Sequence, residues 1–284
     1  MPVAYLNALS RYRADSFTAI SQLTKHISSE FSKQLSATHF SERWETLGEA
    51  HSKRLSVISN LAKPKEDGSF GTGHLCATLR KLVPQDTIWA IEAVTNTTFV
   101  ADNIQATFPG SWINCGGGGL GWSGGGTLGI KLATEFENGP GKGKFVVQIV
   151  GDGTFLFSVP GSVYWIAHRY KIPVLTIVLN NKGMSIFRHS RDRTLIETGW
   201  NAPRKSLLLV HPDGLGSKAT NEEINISFAP VPDYAGIAKA AAGGQLFAEK
   251  VAKASELEDV LKRAVESVKS GTTAVIDAVV VAGC

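Results

Sequence analysis

The chain has 284 residues, 43% of them hydrophobic, a net charge of +4 and an odd, unpatterned set of three cysteines (Cys76, Cys115, Cys284). That is enough apolar material for one substantial core plus appended structure, and it argues against a disulfide scaffold or a zinc site. Basic residues are mixed with acids rather than striped with aromatics, no apolar run is long enough for a membrane span, and no signal-peptide core is visible; the expectation is a soluble intracellular protein, cytoplasmic or mitochondrial, without nucleic-acid or membrane partners.

Residues 1–66 differ from the rest. Pro2 to Leu6 is a short apolar piece, Ala14 to Leu35 carries Phe17, Ile20, Leu23 and Ile27 at helical spacing, and Ser41 to Leu61 does the same with Trp44, Leu47, Leu55 and Ile58. Pro64-Lys65-Glu66-Asp67-Gly68 reads as a linker. From Gly71 helices and strands alternate. Thr72 to Leu82 is a predicted helix, Thr87 to Val94 a strand, Thr97 to Ala106 a helix and Ser111 to Ile113 a short strand. A strand at Phe145 to Val150, a helix at Ser158 to Tyr170 and a strand at Pro173 to Leu179 follow. The chain closes with a helix at Asp233 to Ala242, a strand at Leu246 to Val251, a helix at Ala254 to Val268 and a β-branched strand at Thr273 to Ala282. This alternation predicts an α/β fold: a doubly wound, mainly parallel sheet with helices on both faces, preceded by a helical segment.

Two strand ends carry the chemistry. The run Phe145 to Val150 stops at Gly151-Asp152-Gly153, and the run ending at Leu179 stops at Asn180-Asn181. A helical crossover between them makes the strands parallel, so Asp152 and Asn181 fall at carboxyl ends, the edge at which open parallel sheets bind ligands. A carboxylate and an amide oxygen there suit Mg²⁺ or Ca²⁺, and the flanking glycines admit a phosphate close to backbone N–H groups. The plainer reading is a helix N-cap at Asp152 and an ordinary turn at the Asn pair.

Further upstream, Asn114 to Gly126 is glycine-rich, and Gly119, Gly121 and Gly124 match G-x-G-x-x-G, with Glu135 or Glu137 beyond. That pattern is the alternative reading, a dinucleotide-binding protein or a non-catalytic cofactor module. It is the weaker one, because the strand before it is short and both acids fall in or just after the next helix instead of ending a strand.

Gly-Asp-Gly followed after one crossover by Asn-Asn resembles the fingerprint of the thiamine-diphosphate enzymes, and residues 70–284 resemble their C-terminal cofactor domain, as in acetolactate synthase or benzoylformate decarboxylase. The resemblance implies thiamine diphosphate and Mg²⁺ as cofactors, with metal ligands at Asp152, Asn181 and the Gly183 carbonyl. It implies diphosphate and ring contacts from Asn96, Thr97, Gly119, Gly121, Ser123, Gly151, Gly153 and Thr154. Ser123 is a departure, since many members place a bulky apolar residue there.

The implied activity is that of a 2-keto-acid decarboxylase or carboligase acting on a small 2-keto acid or acyl donor. The activating Glu of such enzymes sits on a separate pyrimidine domain, and nothing in residues 1–66 resembles one; they resemble the tail of a preceding domain plus a helical linker, with 67–284 as the cofactor domain. Whether the chain is an enzyme by itself is therefore open. The expectation is that it is incomplete as a stand-alone chain, working as a homo-oligomer or with a pyrimidine-domain chain. No catalytic residue is assigned, and His168, His189 and His211 are given none of the chemistry. Residues 200–224 read as a loop over the site, and Met184 to Gly199 interrupts the pattern just after the Gly183 carbonyl, either as a genuine insertion or as translated intron.

Overall fold

A computed structural model describes residues 10, 12–115, 119–183 and 227–281. The expectations for Pro2 to Leu6, for 184–199 and 200–224, and for His189 and His211 lie outside these residues. The chain divides into two compact units, 1–57 and 58–284.

The first unit holds α1 (Ser16–Glu30), α2 (Ser32–Leu35) and most of α3 (Thr38–Leu61). Asp15 caps α1, its carboxylate accepting the Thr18 N–H at 2.8 Å. The helix expected over 14–35 is broken at Phe31. Ser28, Ser29 and Ser32 surround that break, and serine competes with helical backbone through its own hydroxyl. Neither α1 nor α2 buries a residue, and Phe17, Ile20 and Leu23 are exposed.

In the second unit all six expected strands form one sheet. They are β1 (Ile88–Glu92), β2 (Trp112–Asn114), β3 (Val146–Gly151), β4 (Leu175–Asn180), β5 (Phe247–Val251) and β6 (Ala274–Val279). Their order is β2-β1-β3-β4-β6-β5 and every pairing is parallel. Among the described residues the helices are α4 (Thr72–Leu82), α5 (Thr97–Ile104), α6 (Trp122–Asn138), α7 (Asp152–Phe157), α8 (Pro160–Arg169), α9 (Tyr234–Ala241) and α10 (Ala254–Lys269).

Both faces of the sheet are covered, which is why β3 and β4 read as nearly continuous apolar runs. Val147, Ile149, Leu175, Ile177 and Leu179 pack with Val100 of α5, Leu75 of α4 and Leu257 of α10. Val146, Val150 and Val178 pack on the other side with Leu128 of α6, Phe155 of α7, Tyr164 of α8 and Tyr234 of α9.

The expected helix over 158–170 forms as α8, and a short helix that was not expected, α7, precedes it. Pro160 has no N–H to donate and disfavours helical backbone in the residue before it. Val159 takes φ 55°, so α8 starts afresh at Pro160 and a separate six-residue α7 follows β3 directly.

One topological feature places the site. The chain runs from β1 outward to β2, then returns to β3 on the opposite side of β1. Such a reversal opens a crevice above the carboxyl ends of the two strands it separates. Here those ends carry Glu92 and Asp152.

Candidate functional site

Asp152 stands at the end of β3 and is only 4% exposed. Its Oδ1 accepts the Gly153 N–H at 2.8 Å, and its Oδ2 accepts the Gly183 N–H at 3.1 Å. Burial pushes its carboxyl up from 3.8 to about 6, against the pull of amides from Gly153, Gly183, Asn181 and Lys182. The turn after β4 therefore folds over the residue after β3, and the structure brings Asp152, Asn181 and Gly183 together.

That turn is held from behind. Asn180, at the end of β4, is buried and donates Nδ2–H to Asp277 Oδ1 at 2.8 Å, while its own Oδ1 accepts the Lys182 N–H at 3.3 Å. Lys182 adopts φ 65°, and its carbonyl accepts the Phe228 N–H at 3.2 Å. Gly183 forms an antiparallel bridge with Ser227, which places residue 227 beside the site.

Asp277 is fully buried in β6, its carboxyl pushed up by burial; Oδ2 has no hydrogen-bond partner among the described residues, and Lys250 Nζ lies 3.8 Å from it. The Tyr234 hydroxyl is likewise buried without a hydrogen-bond partner among the described residues. Burial first, then the charges of Asp152 and Asp277, push it up.

On the other side of the crevice the glycine-rich loop is pinned by Glu92. Its Oε1 accepts the Gly121 N–H at 2.7 Å and its Oε2 accepts the Ser123 N–H at 2.8 Å. Gly121 begins α6 with φ 103°, and a Cβ there would overlap the carbonyl oxygen of Phe157 at the end of α7. Only glycine satisfies both demands.

Ser123 is completely buried, and its Oγ accepts a hydrogen bond from Gln148 Nε2 at 2.8 Å; Gln148 Oε1 in turn accepts from Thr176 Oγ1 at 2.8 Å. Its side chain is thus committed to a polar chain across β3 and β4, under the loop. Gly119 is exposed, Gly151 half-buried, and Gly153 and Thr154 are buried at the start of α7.

Asn96 and Thr97 fall at the start of α5, after a 3₁₀ turn, Val94–Asn96, above β1. Asn96 is buried, its Oδ1 accepting from Thr72 Oγ1 at 3.2 Å, and Thr97 is half-buried. The two acids of the dinucleotide reading lie within α6, where Glu135 pairs with Lys131 at 2.9 Å. Neither ends a strand, so that reading loses the group that would meet a ribose.

Glu92 and Asp277 were not singled out from the sequence. The signal was available for Glu92: like Asp152, it is a lone acid closing an apolar strand at the ligand edge.

The set at the β3–β4 edge consists of hard oxygen donors around a buried carboxylate, which fits a small divalent cation holding that carboxylate ionised. Benzoylformate decarboxylase of Pseudomonas aeruginosa is 28% identical over 120 residues, 42% of this chain and 21% of that protein.

Among solved structures, benzoylformate decarboxylase from Polynucleobacter necessarius superposes with a TM-score of 0.52 at 21% identity, covering 72% of this chain and 32% of that one. The thiamine diphosphate-dependent 4-hydroxybenzoylformate decarboxylase of Rhodococcus jostii RHA1 gives 0.53 at 21% identity, covering 75% and 33%. The chain thus spans about a third or less of the length of these relatives. The sequence profile of the thiamine pyrophosphate enzyme C-terminal TPP binding domain matches residues 93–278, most of the chain, and the chain belongs to that family.

Proposed function

We propose that this chain is the thiamine diphosphate and Mg²⁺ binding half of a 2-keto-acid decarboxylase or carboligase, similar to benzoylformate decarboxylase or acetolactate synthase. The observation that carries it is the junction of the two strand ends, with buried Asp152 accepting the Gly183 N–H at 3.1 Å. Asp152, Asn181 and the Gly183 carbonyl would hold the metal. Gly151, Gly153 and Thr154, with Asn96 and Thr97 across the crevice, would meet the diphosphate. Gly119 and Gly121 would run beside the rings, with Ser123 anchoring that loop from beneath.

When bound, the cofactor supplies the electron sink for breaking the bond beside a keto carbon. This chain's residues would bind and orient it: Asp152 would hold the cation that offsets the diphosphate charge, while Glu92 fixes the loop and Asp277 fixes the Asn180-Asn181 turn. Residues 1–66 are read as the tail of a preceding domain with its linker, and 67–284 as the cofactor domain. The activating Glu is assigned to a pyrimidine domain, supplied by a second copy or a partner chain. Exposed Leu132 and Phe136 on α6 and Trp165 on α8 are consistent with such an association.

Titration calorimetry tests this reading. Thiamine diphosphate is expected to bind only with Mg²⁺ present, and NAD not at all. Metal-independent NAD binding would establish the dinucleotide alternative instead.

A further inference from the structure

At the opposite edge of the sheet lies a cavity of about 610 Å³ between the C-terminal ends of α4 and α5. It is lined by the two loops that lead into β1 and β2, so it sits at the amino ends of the strands. The length of β1 separates it from the Glu92–Asp152 crevice by roughly 13 Å. Its size falls within the range of small-molecule sites. The cavity is independent of the function proposed above.

The lining is amphipathic and of one charge sign. Trp89, 4% exposed, and buried Ile104 and Val83 provide apolar surface, and half-exposed Phe108 stands at the mouth. Arg80 and Lys81 supply two positive charges, and among the described residues no carboxylate lines the wall. Among the described residues neither cation has an ion pair within 4 Å; Glu258 feels Lys81 but is bonded to Lys262 at 2.7 Å.

The arginine is also aimed. Its Nη1 donates to Gln105 Oε1 at 2.7 Å, and Gln105 Nε2 donates to the Asp102 carbonyl at 3.1 Å. Gln105 holds that position with φ 48°, a left-handed conformation that a glycine would adopt without strain. That conformation is the left-handed C-cap that ends α5, the Gln105 N–H donating to the Ala101 carbonyl. A guanidinium offers further N–H donors in a planar fork suited to a carboxylate.

We infer that this cavity is a second small-molecule site, which takes an organic carboxylate with a flat apolar body: the carboxylate on Arg80 and Lys81, the body against Trp89 and Phe108. A bare inorganic anion would leave the apolar wall uncovered, and a neutral aromatic would leave both cations unpaired.

Calorimetry on the full chain with benzoate, benzamide and inorganic phosphate tests this. Benzoate is expected to bind at least tenfold more tightly than either of the others. Arg80→Gln, on an exposed residue, is expected to lower benzoate affinity at least tenfold, with far-ultraviolet circular dichroism unchanged. Asp152→Ala should leave benzoate affinity as it is, since the two sites lie at opposite edges. Equal affinity for benzamide or phosphate overturns the inference. So does native-like benzoate binding by the Arg80 variant, or loss of that binding in the folded Asp152 variant.

Discussion

Asp152 is a carboxylate that the fold keeps ionised only with difficulty. In the unfolded chain it titrates near its ordinary 3.8, and in the folded protein at about 6, because burial outweighs four amide donors. The folded state binds this proton more tightly, so its contribution to stability is full below the ordinary value and is lost as pH rises through 6. Measured against the Asp152→Asn variant, which lacks the titration, the cofactor-free protein should lose about 3 kcal/mol between acid and neutral pH. Denaturant unfolding of both proteins across that range checks it, and parallel pH profiles would refute it. The same variant should lose Mg²⁺-dependent thiamine diphosphate binding; unchanged affinity would remove Asp152 from the metal site. Glu92 plays the complementary part on β1, accepting the Gly121 and Ser123 amides. Glu92→Ala leaves both N–H groups without an acceptor, at a cost of about 2–4 kcal/mol, and Glu92→Gln, which keeps one acceptor, should cost less. Equal denaturation midpoints for the native protein and the alanine variant would show that the loop needs no pin.

At the scale of elements, the α7–α8 junction is where local sequence and fold conflict. Val159 is 62% exposed and held at φ 55° immediately before Pro160, a conformation that burdens a β-branched residue. Val159→Gly should stabilise the protein by about 0.5–1 kcal/mol, the released strain exceeding glycine's extra entropy in the unfolded chain. A lower urea midpoint for that variant would mean that the valine side chain has a packing role. The same junction shows what the sequence conceals. β3 and β4 were legible because a strand buried on both faces must be apolar throughout, and because Gly151 and the Asn pair punctuate their ends. The six-residue α7 was not, because Asp152–Phe157 is too short for a helical period to show. Asn180 and Asp277 are 97 residues apart, and only the parallel pairing of β4 with β6 brings them within 2.8 Å. Ser123 was legible as part of the loop but not as a buried member of the Gln148–Thr176 chain, because that role depends on the register of β3 against β4.

For the whole molecule, the proposed reading makes this chain a cofactor half that binds without turning over. The described site supplies a buried carboxylate, an Asn turn and a pinned glycine loop, which bind and orient. Family resemblance puts the activating Glu on a pyrimidine domain, and the solved relatives are about three times the length that this chain covers. Binding and turnover should therefore separate. The purified chain is expected to bind thiamine diphosphate with Mg²⁺ and yet show no steady decarboxylation of pyruvate or benzoylformate at rates of order 1 s⁻¹ or above. Running both assays on one sample excludes an unfolded preparation as the reason for inactivity. Sustained turnover by the chain alone would mean that the activating group lies within these 284 residues. If turnover instead needs a pyrimidine-domain polypeptide, its addition should shift the chain to a larger species on gel filtration. Substituting Phe136, 92% exposed on α6, by Ser should weaken that shift and leave Mg²⁺-dependent cofactor binding intact.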